Sequence, residues 1–176
     1  KLWQVSFNTL YDTVPSAPLR KNHLFTLHRI YMTPKKIAKF AKGEVPSCKR
    51  CGETEADDIH MFISCPSLTS FWQGVTQVLA DIFLSSIKVS QRLIIFGVDD
   101  EVCMNLSNCQ KKLLFYLILL ARRQICCNWL QAAPPTVQNW LQHVEVIFVK
   151  EGKLFKGRKR YHIWADFVKW KEAEVQ

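Results

Sequence analysis

Four side chains in an eighteen-residue stretch, Cys48, Cys51, His60 and Cys65, restrict the folding of this chain more than any other feature of it. Their spacing is C-x2-C-x8-H-x4-C within CKRCGETEADDIHMFISC. A C-x-x-C turn lets two thiolates converge on one ion, and zinc takes four such sulfur or imidazole ligands in a tetrahedron. Gly52 directly follows the second cysteine, where a positive φ costs glycine little. The eight-residue gap is long enough to bring the chain back, and His60 and Cys65 supply the second pair. Pro66 biases Cys65 toward an extended backbone and separates the arm from the next helix. All four positions would be filled by protein, which predicts one structural Zn2+ and no open catalytic position.

The remaining cysteines, Cys103, Cys109, Cys126 and Cys127, have no paired spacing and no nearby histidine, and read as buried core thiols. Seven cysteines, an odd number with two of them adjacent, fit a secreted disulfide scaffold poorly. The opening KLWQVSFNTLYD has neither the apolar run nor the small-residue cleavage site of a secretory signal. The chain therefore reads as intracellular, cytoplasmic or nuclear, and without an initiator Met it reads as a piece of something longer. The longest apolar run, LLFYLILLA at 113–121, falls well short of the roughly 20 residues a membrane span needs. Flanked by Lys111-Lys112 and Arg122-Arg123, it is expected to be a buried helix, with no membrane partner.

Around these landmarks the apolar period is mostly helical. Residues 1–20 have little period and two prolines, and are expected to form an opening strand or loop. Residues 21–32 place Leu24, Leu27, His28 and Tyr31 on one helical face. Thr33-Pro34 opens a short helix expected to end at Gly43. Residues 67–84 read as an amphipathic helix, 92–98 as a short strand or buried turn, and 108–131 as a long helix capped by Ser107. Thr136 caps another through about 150, residues 150–160 form a basic loop, and a helix closes the chain. The expected fold is mainly α, an irregular helical domain with a small inserted CCHC zinc knuckle. Its parts are a basic helical segment (1–45), the knuckle (46–66) and a helical C-terminal domain (67–176).

With 48% hydrophobic residues the 176-residue chain can bury a real core, while a net charge of +9 points to polyanionic partners. That charge is segregated. Residues 1–45 hold eight Lys and Arg against Asp12 and Glu44, and residues 150–171 hold eight against Glu151 and Asp166. Phosphate binding uses such blocks, and the candidate contacts are Lys35, Lys36, Lys39, Lys42, Lys153, Lys156, Arg158, Lys159 and Arg160. Phe25, Tyr31, Phe155, Tyr161 and Trp164 accompany them; exposed, they could stack on unpaired bases, but their helical spacing already explains them as core. The pairs Asp57-Asp58 and Asp99-Asp100 resemble a polymerase metal pair but lack a third carboxylate on a neighbouring strand, and read as solvated turns. His23 and His28 read as helix surface and core edge. No nucleophile elbow, P-loop or H-E-x-x-H motif is present.

HRIYMTP, CKRCGETEADDIHMFISCPSLTSFWQGV and LLARRQICCNWLQAAPPTVQNWL together resemble the C-terminal region of vertebrate LINE-type (non-LTR) retrotransposon reverse transcriptases, in order and spacing over about 20–172. The resemblance implies that Cys48, Cys51, His60 and Cys65 are the metal ligands. It also implies a reverse transcriptase domain upstream, and binding of RNA or single-stranded DNA during target-primed reverse transcription. No catalytic residue has a counterpart here, so the segment is expected not to be an enzyme. The middle gap of eight, against four in the retroviral knuckle, argues against guanine reading of the retroviral kind. A protein-interaction module packing on the polymerase core or a host factor is the alternative.

Overall fold

The structure, a computed structural model, describes residues 1–43, 46–155 and 157–174, apart from the side chains of Lys159 and Arg160. The fold is mainly helical with no strand among the described residues. The helices run α1 (Leu2–Thr13), α2 (Ala17–Leu27), α3 (Pro34–Ile37), α4 (Thr69–Phe83), α5 (Gln91–Phe96), α6 (Asn108–Cys127), α7 (Val137–Phe155) and α8 (Ala165–Glu174). A π-helical turn at His60–Ser64 and a 3-10 turn at Pro66–Leu68 precede α4, and a second 3-10 turn, Lys159–Trp164, precedes α8. No helix among the described residues is long and apolar enough to cross a membrane.

Helix α6 is the axis of the fold. Every residue from Leu113 to Arg122 is completely buried, and α1, α2, α5 and α7 all pack on it. A fully buried leucine contributes about 2 kcal/mol relative to an exposed one, so this run anchors the core. Its start is fixed by a capping box. The Ser107 hydroxyl accepts the Gln110 N–H, and the Gln110 side chain accepts the Ser107 N–H. Ser107→Ala is expected to lower stability by about 1 kcal/mol in urea unfolding.

Several elements differ from the expectation. Residues 2–13 form a helix, because Ser6, Leu10 and Thr13 face the core while Trp3, Phe7 and Tyr11 face outward, which inverts the usual polarity. Residues 91–96 form α5 instead of a strand; Ser90 caps it and Gly97 ends it in the left-handed region. Gly97 lies so close to Phe115 that an added Cβ would meet the ring at 2.5 Å. Helix α2 stops at Leu27, short of Tyr31. Its end is a Schellman turn, with Ile30 N–H donating to the Phe25 carbonyl and Arg29 N–H to that of Thr26. Helix α3 ends at Ile37, well before Gly43.

Helix α7 continues through the expected basic loop as far as Phe155. Glu151 is buried there and accepts hydrogen bonds from Tyr116 Oη at 2.6 Å and Trp164 Nε1 at 2.9 Å. Two donors offset the cost of burying a carboxylate, and they tie α7 to α6 and to the second 3-10 turn. Cys109 and Cys127 are exposed and Cys126 is half-buried; of the four cysteines read as core thiols, only Cys103 is buried. Cys109 falls on the solvent side of the first turn of α6, and Cys127 is its last residue.

A second polar network lies under α1. His23, expected at a helix surface, is fully buried; its Nε2 is 2.9 Å from Ser6 Oγ and its Nδ1 accepts from the Arg122 guanidinium. Ser6 Oγ donates to the Phe96 carbonyl, and Arg122 Nη1 donates to that of Ile95 at 2.7 Å. The donors run in one direction, from arginine through imidazole and hydroxyl to carbonyl. The network therefore fixes a neutral His23 protonated on Nε2. It satisfies the last carbonyls of α5 from α1, α2 and α6 at once.

Candidate metal centre

The cysteine arm starts as a closed loop. Gly52 N–H donates to the Cys48 carbonyl at 2.8 Å and Cys48 N–H to that of Glu53 at 2.8 Å, with Gly52 at φ 82°. The conformation needs a residue without a Cβ, as the sequence anticipates. Inside the loop, burial pushes the Cys48 thiol up. Hydrogen bonds from the backbone of Arg50 and Cys51, and from the His60 and Cys51 side chains, outweigh it and bring the thiol down to about 6. Cys51 moves the other way, to about 11, because burial and the neighbouring sulfurs disfavour a second anion. The Cys48 thiolate is thus favoured over that of Cys51, which a cation would be needed to hold deprotonated.

Asp57 leads into the second half by accepting the His60 N–H on Oδ1 at 2.9 Å. The π-helical turn then closes with Cys65 N–H donating to the His60 carbonyl. In an ordinary α-helix, residues five apart point about 140° away from each other. The wider i→i+5 turn puts them on the same side, so His60-x4-Cys65 becomes a ligand pair. Cys65 is extended before Pro66, as expected.

The result is convergence. The ligand atoms of Cys48, Cys51, His60 and Cys65 all lie within 4.8 Å of one another, with Cys51 Sγ 3.2 Å from His60 Nε2. Sulfurs at about 2.3 Å from a tetrahedral zinc are about 3.7 Å apart, so a small contraction would close the shell. Cys48 and Cys65 are 2% and 1% exposed, whereas Cys51 is exposed, which leaves a route for an ion to enter. Three sulfurs and one imidazole fit Zn2+ by number and by softness. The four residues can hold one metal ion.

The arm does not stand apart from the core. Met61 and Phe62, inside the π-helical turn, are completely buried, and the Trp72 indole of α4 donates to the Phe62 carbonyl at 2.8 Å. Arg50, between the first two cysteines, donates to the Met61 carbonyl at 2.8 Å and lies 4.8 Å from the Trp129 ring centre. These anchors leave no periodic signal in the sequence. They could be suspected only from an arginine between paired cysteines.

The basic residues are distributed unevenly. Lys36 is engaged: its ammonium group pairs with Asp58 at 2.7 Å and donates to the carbonyls of Arg29 and Tyr31. Lys35 makes a looser pair with Glu55 at 3.3 Å. Lys39, Lys42, Lys153 and Arg158 are exposed. Lys156 and the side chains of Lys159 and Arg160 lie outside the described residues. Among the aromatics beside these blocks, Trp164 is fully buried and Tyr161 stacks on Phe148, while Tyr31 packs on Phe62. The carboxylate pairs form no metal site either. Asp99 is not solvated; it is buried and accepts from Ser90 Oγ and the Glu101 N–H. Asp57 is occupied by the His60 N–H and Asp58 by Lys36.

No protein-family profile, curated protein or solved structure matches the chain.

Proposed function

We propose that this chain is the zinc-binding C-terminal segment of a LINE-type reverse transcriptase, and that it binds RNA or single-stranded DNA without catalysing a reaction. The observation that carries the reading is the convergence of Cys48, Cys51, His60 and Cys65, the residues on which the sequence resemblance is most specific. In this reading one Zn2+ is structural. It fixes the arm against α4 and α6, and it keeps the basic segment around α3 in register with the helical body. Lys39, Lys42, Lys153 and Arg158 supply exposed charge for phosphates, and Lys36 helps hold the arm. Lys156, Lys159 and Arg160 belong to the same basic block by sequence. The proposed partners are nucleic acid and the upstream reverse transcriptase domain, within the cell.

The competing reading, a module that docks on protein, calls for an open apolar face on 67–84 or 108–131. Phe71, Trp72, Val75, Leu79 and Ile82 of the first are buried, and so is 113–121 of the second.

The test is fluorescence anisotropy with labelled single-stranded RNA and DNA over a salt series. If three or four phosphates are contacted, log affinity is expected to fall with log salt at a slope of about −2 to −3. Lys39→Glu, Lys42→Glu and Arg158→Glu are each expected to weaken binding by a similar factor for every sequence. Binding that is absent, or indifferent to salt, would remove the reading.

A further inference from the structure

A cleft bordered by the arm combines an exposed indole with two arginines. It measures about 250 Å³ and lies where α1, the end of α2, the arm and α5 meet. Its lining includes Trp3, Arg29, Asp58, Phe62, Arg92 and Phe96. Four observations point the same way.

Trp3 is 42% exposed although it is the largest apolar side chain of α1, and its indole is braced edge-on by His28 at 5.1 Å. Arg29 and Arg92 are both exposed, and neither guanidinium has an ion-pair or hydrogen-bond partner among the described residues. The carboxylate in the cleft, Asp58, is already neutralised by Lys36, so the local field is positive. Finally, Arg29 sits at φ 52°, at the Schellman position where glycine is strongly favoured. A strained arginine where glycine would be more stable has the mark of a side chain kept for what it contacts.

We infer that this cleft seats one nucleotide of a single-stranded nucleic acid, its base against the Trp3 indole and its phosphate between Arg29 and Arg92. The volume is below that of drug-sized pockets and suits a single base with its sugar. An exposed aromatic beside two cations is the arrangement that single-strand binders use, because every base offers a π face. Phe7 and Tyr11 continue from Trp3 along the outer face of α1 at steps of about 6 Å, and Arg20 lies 4.8 Å from the Tyr11 ring centre. Neighbouring nucleotides follow that ridge. The inference rests on the proposed nucleic-acid binding and adds the place where a base is held.

The experiment uses zinc-loaded protein and a fluorescein-labelled twelve-nucleotide oligo-U, with oligo-dT in parallel. Trp3→Ala and Arg92→Gln are expected to weaken binding at least fivefold, with Trp3→Phe recovering most of the loss. Arg29→Gly is the decisive variant: it is expected to move the urea midpoint upward, by relieving the backbone, while weakening binding at least fivefold. A general loss of fold cannot produce that combination. If Trp3→Ala and Arg29→Gly bind like the parent while Lys39→Glu and Arg158→Glu bind less, the cleft is not the site and the broader reading survives. If the parent binds neither oligonucleotide, both are overturned, and the exposed ridge on α1 falls to a protein partner.

Discussion

Removing the metal with a chelator is expected to unfold the arm from Cys48 to Cys65 and to destabilise the whole domain with it. Without the cation nothing binds the three sulfurs and the imidazole together within 4.8 Å, and Cys51, pushed up to about 11 by burial and the neighbouring sulfurs, takes back its proton. Structural zinc contributes about 10 kcal/mol or more to the folded state of small metal-dependent domains, more than a typical domain's net stability. The loss would not stay local, because Met61, Phe62 and Cys65 are core residues and Trp72 hydrogen-bonds the backbone of the arm. Elemental analysis is expected to find one zinc per chain. Chelation is expected to shift tryptophan emission to the red and to lower the melting temperature by well over 10 °C. Cys48→Ser and Cys65→Ser are expected to behave like the chelated protein, with the exposed Cys109→Ser as a zinc-replete control. Unchanged melting after chelation would overturn the structural role of the metal.

Mild acid is expected to destabilise the domain through His23, independently of the metal. Burial, and secondarily the Arg122 charge, hold the His23 imidazole down at about 2, against 6.5 for an ordinary histidine. Below pH 6.5 the unfolded chain takes up a proton that the folded chain refuses. The His23 contribution is therefore complete above pH 6.5 and is lost as the pH falls from there toward 2. The slope is about 1.4 kcal/mol per pH unit, or roughly 2 kcal/mol by pH 5. The geometry explains the sign. Protonated His23 would point an N–H at the Arg122 guanidinium, while the Ser6 hydroxyl and the Phe115 ring are its other neighbours and neither is an anion. Urea unfolding at pH 7 and pH 5 should be compared between the parent and His23→Gln. Acid effects on the metal ligands are common to both, so the difference isolates His23. Equal losses in the two proteins would rule the mechanism out.

The clustering of Cys48, Cys51, His60 and Cys65 was readable in the sequence because ligand chemistry imposes residue types at fixed positions. Helix α6 was readable because nine apolar residues in a row leave a helix no exposed face. What could not be read arose where tertiary contacts overrule pattern. Helix α1 turns Ser6 inward to bond His23 and the Phe96 carbonyl while Trp3, Phe7 and Tyr11 face outward, so its residue types do not mark the buried face. The left-handed end of α2 falls on Arg29, a residue type that does not announce such a turn. Helix α7 passes Gly152 because Glu151 finds two buried donors from distant segments, a gain that no local propensity contains. The basic blocks were visible as charge. That Lys36 is bound to Asp58 while Lys39 and Lys42 stand exposed emerges only from the folded arm.

The π-helical turn makes the metal arm hard to transplant. Moved as a cassette into an unrelated host, residues 48–65 would still carry all four ligands. They would also bring Met61 and Phe62 facing water, and a Phe62 carbonyl without its indole. Such a graft would need a matching apolar socket in the recipient, so metal site and helical bundle have to change together or not at all.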